Sequence, residues 1–174
     1  MLLPESNIPR IFVVDEPSRR IVEALAKSFR AQVDVVDCGS TNTLLDLYHK
    51  ATAVFDSRHL CFIVPFGTKV PSTTSNAVFL ALEQLSLIDC LFDPRVAEAN
   101  SQKHPNKIAR SFLASHDPKA ALLELCSQSG MAEDDYLAAL VKNCRDAGVC
   151  EQVFPAQLID AIISGIDDSG ALCS

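Results

Sequence analysis

Short apolar runs followed by segments of helical periodicity organise the first half of the chain. Ile11, Phe12, Val13 and Val14 form a β-branched and aromatic run that ends in Asp15, Glu16 and Pro17, the pattern of a buried parallel strand entering a turn. Ser18 then stands as the cap of a predicted helix whose stripe is Ile21, Val22, Leu25, Ala26 and Phe29. The unit repeats with a strand over 33–38, punctuation at Gly39-Ser40-Thr41-Asn42, and a helical stripe through Leu44, Leu45, Leu47, Tyr48 and Ala51. Leu60 to Val64 is the third and most continuous run, stopped by Pro65 and Gly67. A loop over 70–75 precedes a predicted helix over 76–85, and 87–92 reads either as a fourth strand or as a continuation of that helix.

Strand–helix units joined this closely imply a parallel sheet with right-handed crossovers and helices on both faces. The expected fold class is therefore α/β, a three-layer sandwich of the flavodoxin or receiver type with a mostly parallel sheet, plus a C-terminal helical extension. The chain divides into an α/β unit over 1–92, a linker over 93–117 bracketed by Pro94, Pro105 and Pro118, and an acidic helical extension over 118–174. In the extension, helices are predicted over 120–126, from Asp134 or Asp135 to Cys144, and over 155–166, with Gly130 and Gly148 as stops.

Composition narrows the class. Of 174 residues, 48% are hydrophobic and 21% charged, with no Trp, so a core of Leu, Ile, Val and Ala is expected. The net charge of −7 disfavours a broadly basic nucleic-acid or membrane-surface binder. Its distribution is uneven: residues 120–174 hold nine acids and two bases, and the remainder holds thirteen of each. The opening residues lack a basic stretch and an apolar stretch of signal-peptide length, and no apolar run is long enough to cross a bilayer, so a soluble cytoplasmic protein is expected. Seven cysteines without a C-x-x-C pair read as small buried hydrophobes in a reducing compartment; no metal site and no cofactor is expected.

Ligand sites in parallel α/β folds lie at the carboxyl ends of the strands; here those ends carry Asp15, Glu16, Cys38, Gly39, Ser40, Pro65, Phe66 and Gly67. Ile11 to Glu16 has the form of a Walker B strand, but the chain contains no G-x-x-x-x-G-K-[ST] to partner it. The strand ending in paired acids, the helix after Pro17, and the second strand leading into Gly39-Ser40 give residues 8–85 a resemblance to a response-regulator receiver domain. The resemblance implies a magnesium-binding role for acids at the positions of Asp15 and Glu16, and a phosphoacceptor aspartate at the end of the third strand. Pro65 occupies that place and has no carboxylate, while Asp56 lies before the strand. A pseudo-receiver that does not switch by phosphorylation is implied. A simpler role for Asp15 is to cap the following helix.

An enzymatic alternative uses Asp15 and Glu16 with Cys38, whose thiol would sit near a helix N-terminus, with His49 or His59 as base. A second alternative is nucleic-acid association through the basic stretch Lys103, Lys107, Arg110 and Lys119, with His104 and His116. The preferred expectation is a non-enzymatic interaction or adaptor subunit, in signalling or in a larger assembly. Its partner-binding candidates are Glu133, Asp134, Asp135, Tyr136, Asp160, Asp167 and Asp168. The C-terminal stripe of Leu158, Ile159, Ile162, Ile163 and Ile166 suits either a homodimer or packing within the chain.

Overall fold

The computed structural model describes residues 8–54, 60–69, 78–83, 86–100, 117–127 and 130–166. Asp56, His59, the loop over 70–75, Lys103, His104, Lys107, Arg110, His116, Asp167 and Asp168 lie outside these residues. Four strands, β1 (Arg10–Val13), β2 (Asp34–Asp37), β3 (Leu60–Val64) and β4 (Val78–Ala81), form an all-parallel sheet in the order β2-β1-β3-β4. The winding direction reverses at β1, because β2 is laid down on one side of it and β3 on the other.

Alternation along β1 and β3 sorts the core into two layers. Ile11, Val13, Cys61 and Ile63 face one side, and Phe12, Leu60, Phe62 and Val64 face the other. The first side is covered by α1 (Glu16–Ser28), whose Ile21, Val22 and Leu25 are fully buried. The second is covered by α2 (Thr41–Val54) through Leu44 and Tyr48. There the Phe12 and Phe62 rings stack at 4.5 Å, and Tyr48 meets Phe62 edge-on at 5.1 Å. The three-layer α/β arrangement is thus present.

Two local expectations fail. The predicted helix over 76–85 is replaced at Val78–Ala81 by β4, and the strand considered over 87–92 is a 3-10 helix, Leu87–Phe92. Val78–Ala81 is apolar throughout and Leu87–Phe92 is interrupted only by Asp89, and at such lengths periodicity does not separate strand from helix. Tertiary pairing decides the first, since Val78 to Ala81 align with Cys61 to Val64. In the second, the Asp89 carboxylate accepts from Ser86 N–H at 3.0 Å, holding the tight turn at its start.

The helical stretches that follow are α3 (Pro94–Ala99), α4 (Pro118–Ser127), α5 (Glu133–Asp146), α6 (Cys150–Val153) and α7 (Ala156–Ile163). They share the α1 layer. Tyr136, Leu137, Leu140, Val141 and Cys144 of α5 belong to the same buried cluster as Ile11, Ile21, Leu25 and Ile63. Leu158, Ile159 and Ile162 of α7 are buried in it too, so most of the C-terminal stripe packs within the chain, while Ile163 is exposed. Polar contacts fix α5 against α1 at both ends. Arg20 pairs with Glu133 at one end; at the other Arg145 donates to the Ser28 carbonyl and lies 4.8 Å over the Phe29 ring. Gly165, just beyond α7, accepts a hydrogen bond from Gln32 N–H at 3.1 Å, tying the C-terminal end to the α1–β2 connection.

Candidate functional site

The carboxyl edge of the sheet, where the winding direction reverses between the paired β1 and β3, carries most of the strand-end residues singled out from the sequence. Asp15 is the N-cap of α1: its Oδ1 accepts from Ser18 N–H at 2.8 Å, and the helix begins at Glu16 with Pro17 in its first turn. Ser18 is therefore inside the helix and serves as donor, not cap. Asp15→Ala is expected to cost about 1 kcal/mol and Asp15→Asn much less. Thermal denaturation of the two variants checks this; equal losses would show that the carboxylate has another role.

Glu16 sits among cations. Its Oε1 lies 2.9 Å from Arg20 Nη2 and 3.9 Å from Arg19 Nη2, and its Oε2 lies 4.0 Å from Lys119 Nζ on α4. Arg20 in turn holds Glu133 of α5. One member of the basic stretch thus approaches one member of the acidic pair, and one acid of the C-terminal helices joins the same chain of charges. The arrangement links α1, α4 and α5, and its acids face bases. Pairs of this exposure contribute up to about 1 kcal/mol each, so their larger effect is on local electrostatics.

Cys38 follows β2 with its thiol 3.9 Å from the Val36 carbonyl. Burial, and then the neighbouring Asp37 carboxylate, push the thiol up to about 11. A raised value favours the neutral thiol and opposes nucleophilic use at neutral pH. At pH 8 its alkylation by iodoacetamide is expected to run about a hundred-fold below that of an ordinary thiol, with a rate still climbing past pH 10. Peptide mass spectrometry across a pH series reads this, and a plateau near pH 8 would contradict it. Ser40 caps α2 instead of facing Cys38: its Oγ accepts from Thr43 N–H at 3.1 Å and donates to Thr43 Oγ1 at 2.9 Å.

Beyond β3 the chain makes a four-residue turn closed by Thr68 N–H to the Pro65 carbonyl at 3.2 Å. Gly67 has φ of 82°, the left-handed backbone that the third position takes in a type II turn and that glycine adopts without strain. The turn carries Phe66 outward with 61% of its surface exposed, more than any other large hydrophobic side chain among the described residues. A group of three or more His, Cys, Asp or Glu side chains able to hold a metal ion is absent among the described residues.

No family model matches the chain, and no curated protein or solved structure matches it either. The geometry therefore carries the reading of the site.

The acidic partner candidates separate by burial. Asp134, Asp135 and Asp160 are exposed; Glu133 is half-buried against Arg20; Tyr136 is 4% exposed and packs in the core. The heptad-like position of Tyr136, one residue before Leu137 and four before Leu140, is the signal that places it on the buried stripe. Among the described residues no helix is long and apolar enough to cross a membrane.

Proposed function

We propose that this chain is a non-enzymatic protein-interaction subunit of pseudo-receiver type, docking a partner through the carboxyl edge of its sheet with Phe66 as the anchor. The observation that carries the reading is the exposure of Phe66 on a hydrogen-bonded turn. A large aromatic held on a short, closed turn loses little conformational entropy when it enters a partner's pocket, which is the property of an interface hot spot.

The neighbouring groups support docking over chemistry. Asp15 caps a helix, Glu16 is ion-paired with Arg19, Arg20 and Lys119, and the Cys38 thiol is held neutral. Pro65 stands where a receiver carries its phosphoacceptor. The strand order β2-β1-β3-β4 is the start of the order used by flavodoxin-like and receiver-like sheets. Exposed Asp134 and Asp135 add negative charge that favours a partner with a basic rim.

The test is affinity capture from the native host with the intact chain and with Phe66→Ala, quantified by mass spectrometry. A partner retained by the wild type and depleted at least roughly ten-fold by the variant, at unchanged circular dichroism, is the expected result. Equal retention of every captured protein would remove Phe66 as the anchor. Magnesium-dependent modification of the chain by acetyl phosphate would overturn the pseudo-receiver form.

A further inference from the structure

At the opposite, amino end of the strands a groove of about 640 Å³ opens between the C-terminal half of α1 and the start of β2. Its lining combines apolar Ile8, Ala26, Ala31 and Val33 with Gln32 and four charged side chains. The two acids are engaged: Glu23 with Arg19 at 3.0 Å and Asp34 with Arg10 at 3.2 Å. The two bases, Lys27 and Arg30, have no ion-pair partner among the described residues. The groove is therefore locally cationic on a chain of net charge −7. Part of that charge offsets the negative end of α1, but Arg30 is held at φ 54°, where an arginine is costlier than a glycine.

The groove borders an edge strand. Asp34 N–H donates to the Pro9 carbonyl at 2.9 Å and Cys38 N–H to the Val13 carbonyl at 2.8 Å. Backbone alternation then turns the N–H and C=O groups of Val35 and Asp37 away from β1. β2 is the last strand on that side among the described residues. Val35 lies half-buried on the α1 side, and Val33, which lines the groove with Lys27 and Arg30, also neighbours Gly165, so a strand added along β2 would set alternate side chains against the apolar surface of Val35.

We infer that the outer edge of β2 and the adjoining groove bind an extended acidic peptide of a partner protein, added to the sheet as a further strand. Main-chain hydrogen bonds to Val35 and Asp37 supply affinity, and carboxylates opposite Lys27 and Arg30 supply selectivity. This deepens the interaction reading by naming a partner class at a second place. Its failure would leave the Phe66 reading standing, because Phe66 lies at the other end of the strands.

The probe is a phage-displayed library of random decapeptides panned on the intact chain and on the Lys27→Glu/Arg30→Glu variant. Sequences that alternate apolar and acidic residues are expected to be enriched on the wild type alone. A fluorescein-labelled synthetic copy should lose affinity roughly ten-fold or more on the variant by anisotropy titration. N-methylation of the alternate backbone nitrogens that face β2 should abolish binding without any change to the protein. Enrichment of the same sequences on both chains, no enrichment on either, or binding that tolerates N-methylation at every position would overturn the inference.

Discussion

Truncation of Leu137 to alanine is expected to lower the stability of the whole chain by about 2–5 kcal/mol, and not merely to loosen its C-terminal end. Leu137 is 1% exposed and belongs to the cluster that contains Ile11 of β1, Leu25 of α1 and Ile63 of β3. Removing its branched side chain opens a cavity between α5 and the rest of that layer. The surrounding side chains close such a cavity only in part, because protein interiors are close-packed. Urea denaturation should show a lower midpoint with an undiminished slope, as expected when one cooperative unit is destabilised. A variant that keeps the wild-type midpoint for the sheet while losing only helical signal would show that α5 is dispensable to the core.

Gly165→Ala is the second large effect, and its cause is contact and not backbone conformation. A Cβ at this position would overlap the Gln32 carbonyl oxygen and lie 3.1 Å from Val33 Cγ1. A backbone oxygen has no rotamer by which to move aside, so the end of α7 must shift away from the α1–β2 connection. The shift would stretch the 3.1 Å hydrogen bond from Gln32 N–H to the Gly165 carbonyl. Overpacking of this kind costs about 1–3 kcal/mol. Thermal denaturation should place Gly165→Ala well below wild type, with alanine substitution of exposed Ile163 near it. A Gly165→Ala chain as stable as wild type would mean that the two ends are not closely apposed.

The α/β architecture is legible in the sequence because its strongest signals are local. Ile11 to Val14, Val33 to Cys38 and Leu60 to Val64 are β-rich runs, each separated from the next by a helical stripe, and all three contain strands of the sheet. β4 is not legible: Val78 to Ala81 carries four apolar residues that fit either structure, and pairing to β3 is a long-range property. The C-terminal helices are also visible as patterns. Their packing against α1 is not, because an apolar stripe does not name the surface that covers it.

The candidate site divides the same way. Asp15 as a helix cap follows from its place before Pro17 and a helical stripe, and the structure realises it at Ser18 N–H. The company of Glu16 does not follow: Lys119 is over a hundred residues away, and only the placement of α4 beside α1 brings it within 4.0 Å. Phe66 is named by its strand-end position, but its exposure depends on the direction of the Pro65–Thr68 turn. Tyr136 shows the reverse case, an acidic-segment residue turned inward by the register of α5.

The C-terminal helices complete the α1 layer and, through Glu133 and Arg20, the charge network beside the carboxyl edge. The chain has no Trp and two Tyr, one in each layer: Tyr48 on α2 and Tyr136 on α5. Tyrosine fluorescence of Tyr136→Phe and Tyr48→Phe followed through urea denaturation therefore reads the two faces of the sheet separately. After scaling for the stability of each variant, each fluorescence transition should coincide with the far-ultraviolet circular dichroism transition of the same protein. A Tyr136 signal lost at lower urea than the circular dichroism of its own variant would contradict the account, because the helices would then be separable from the sheet they cover.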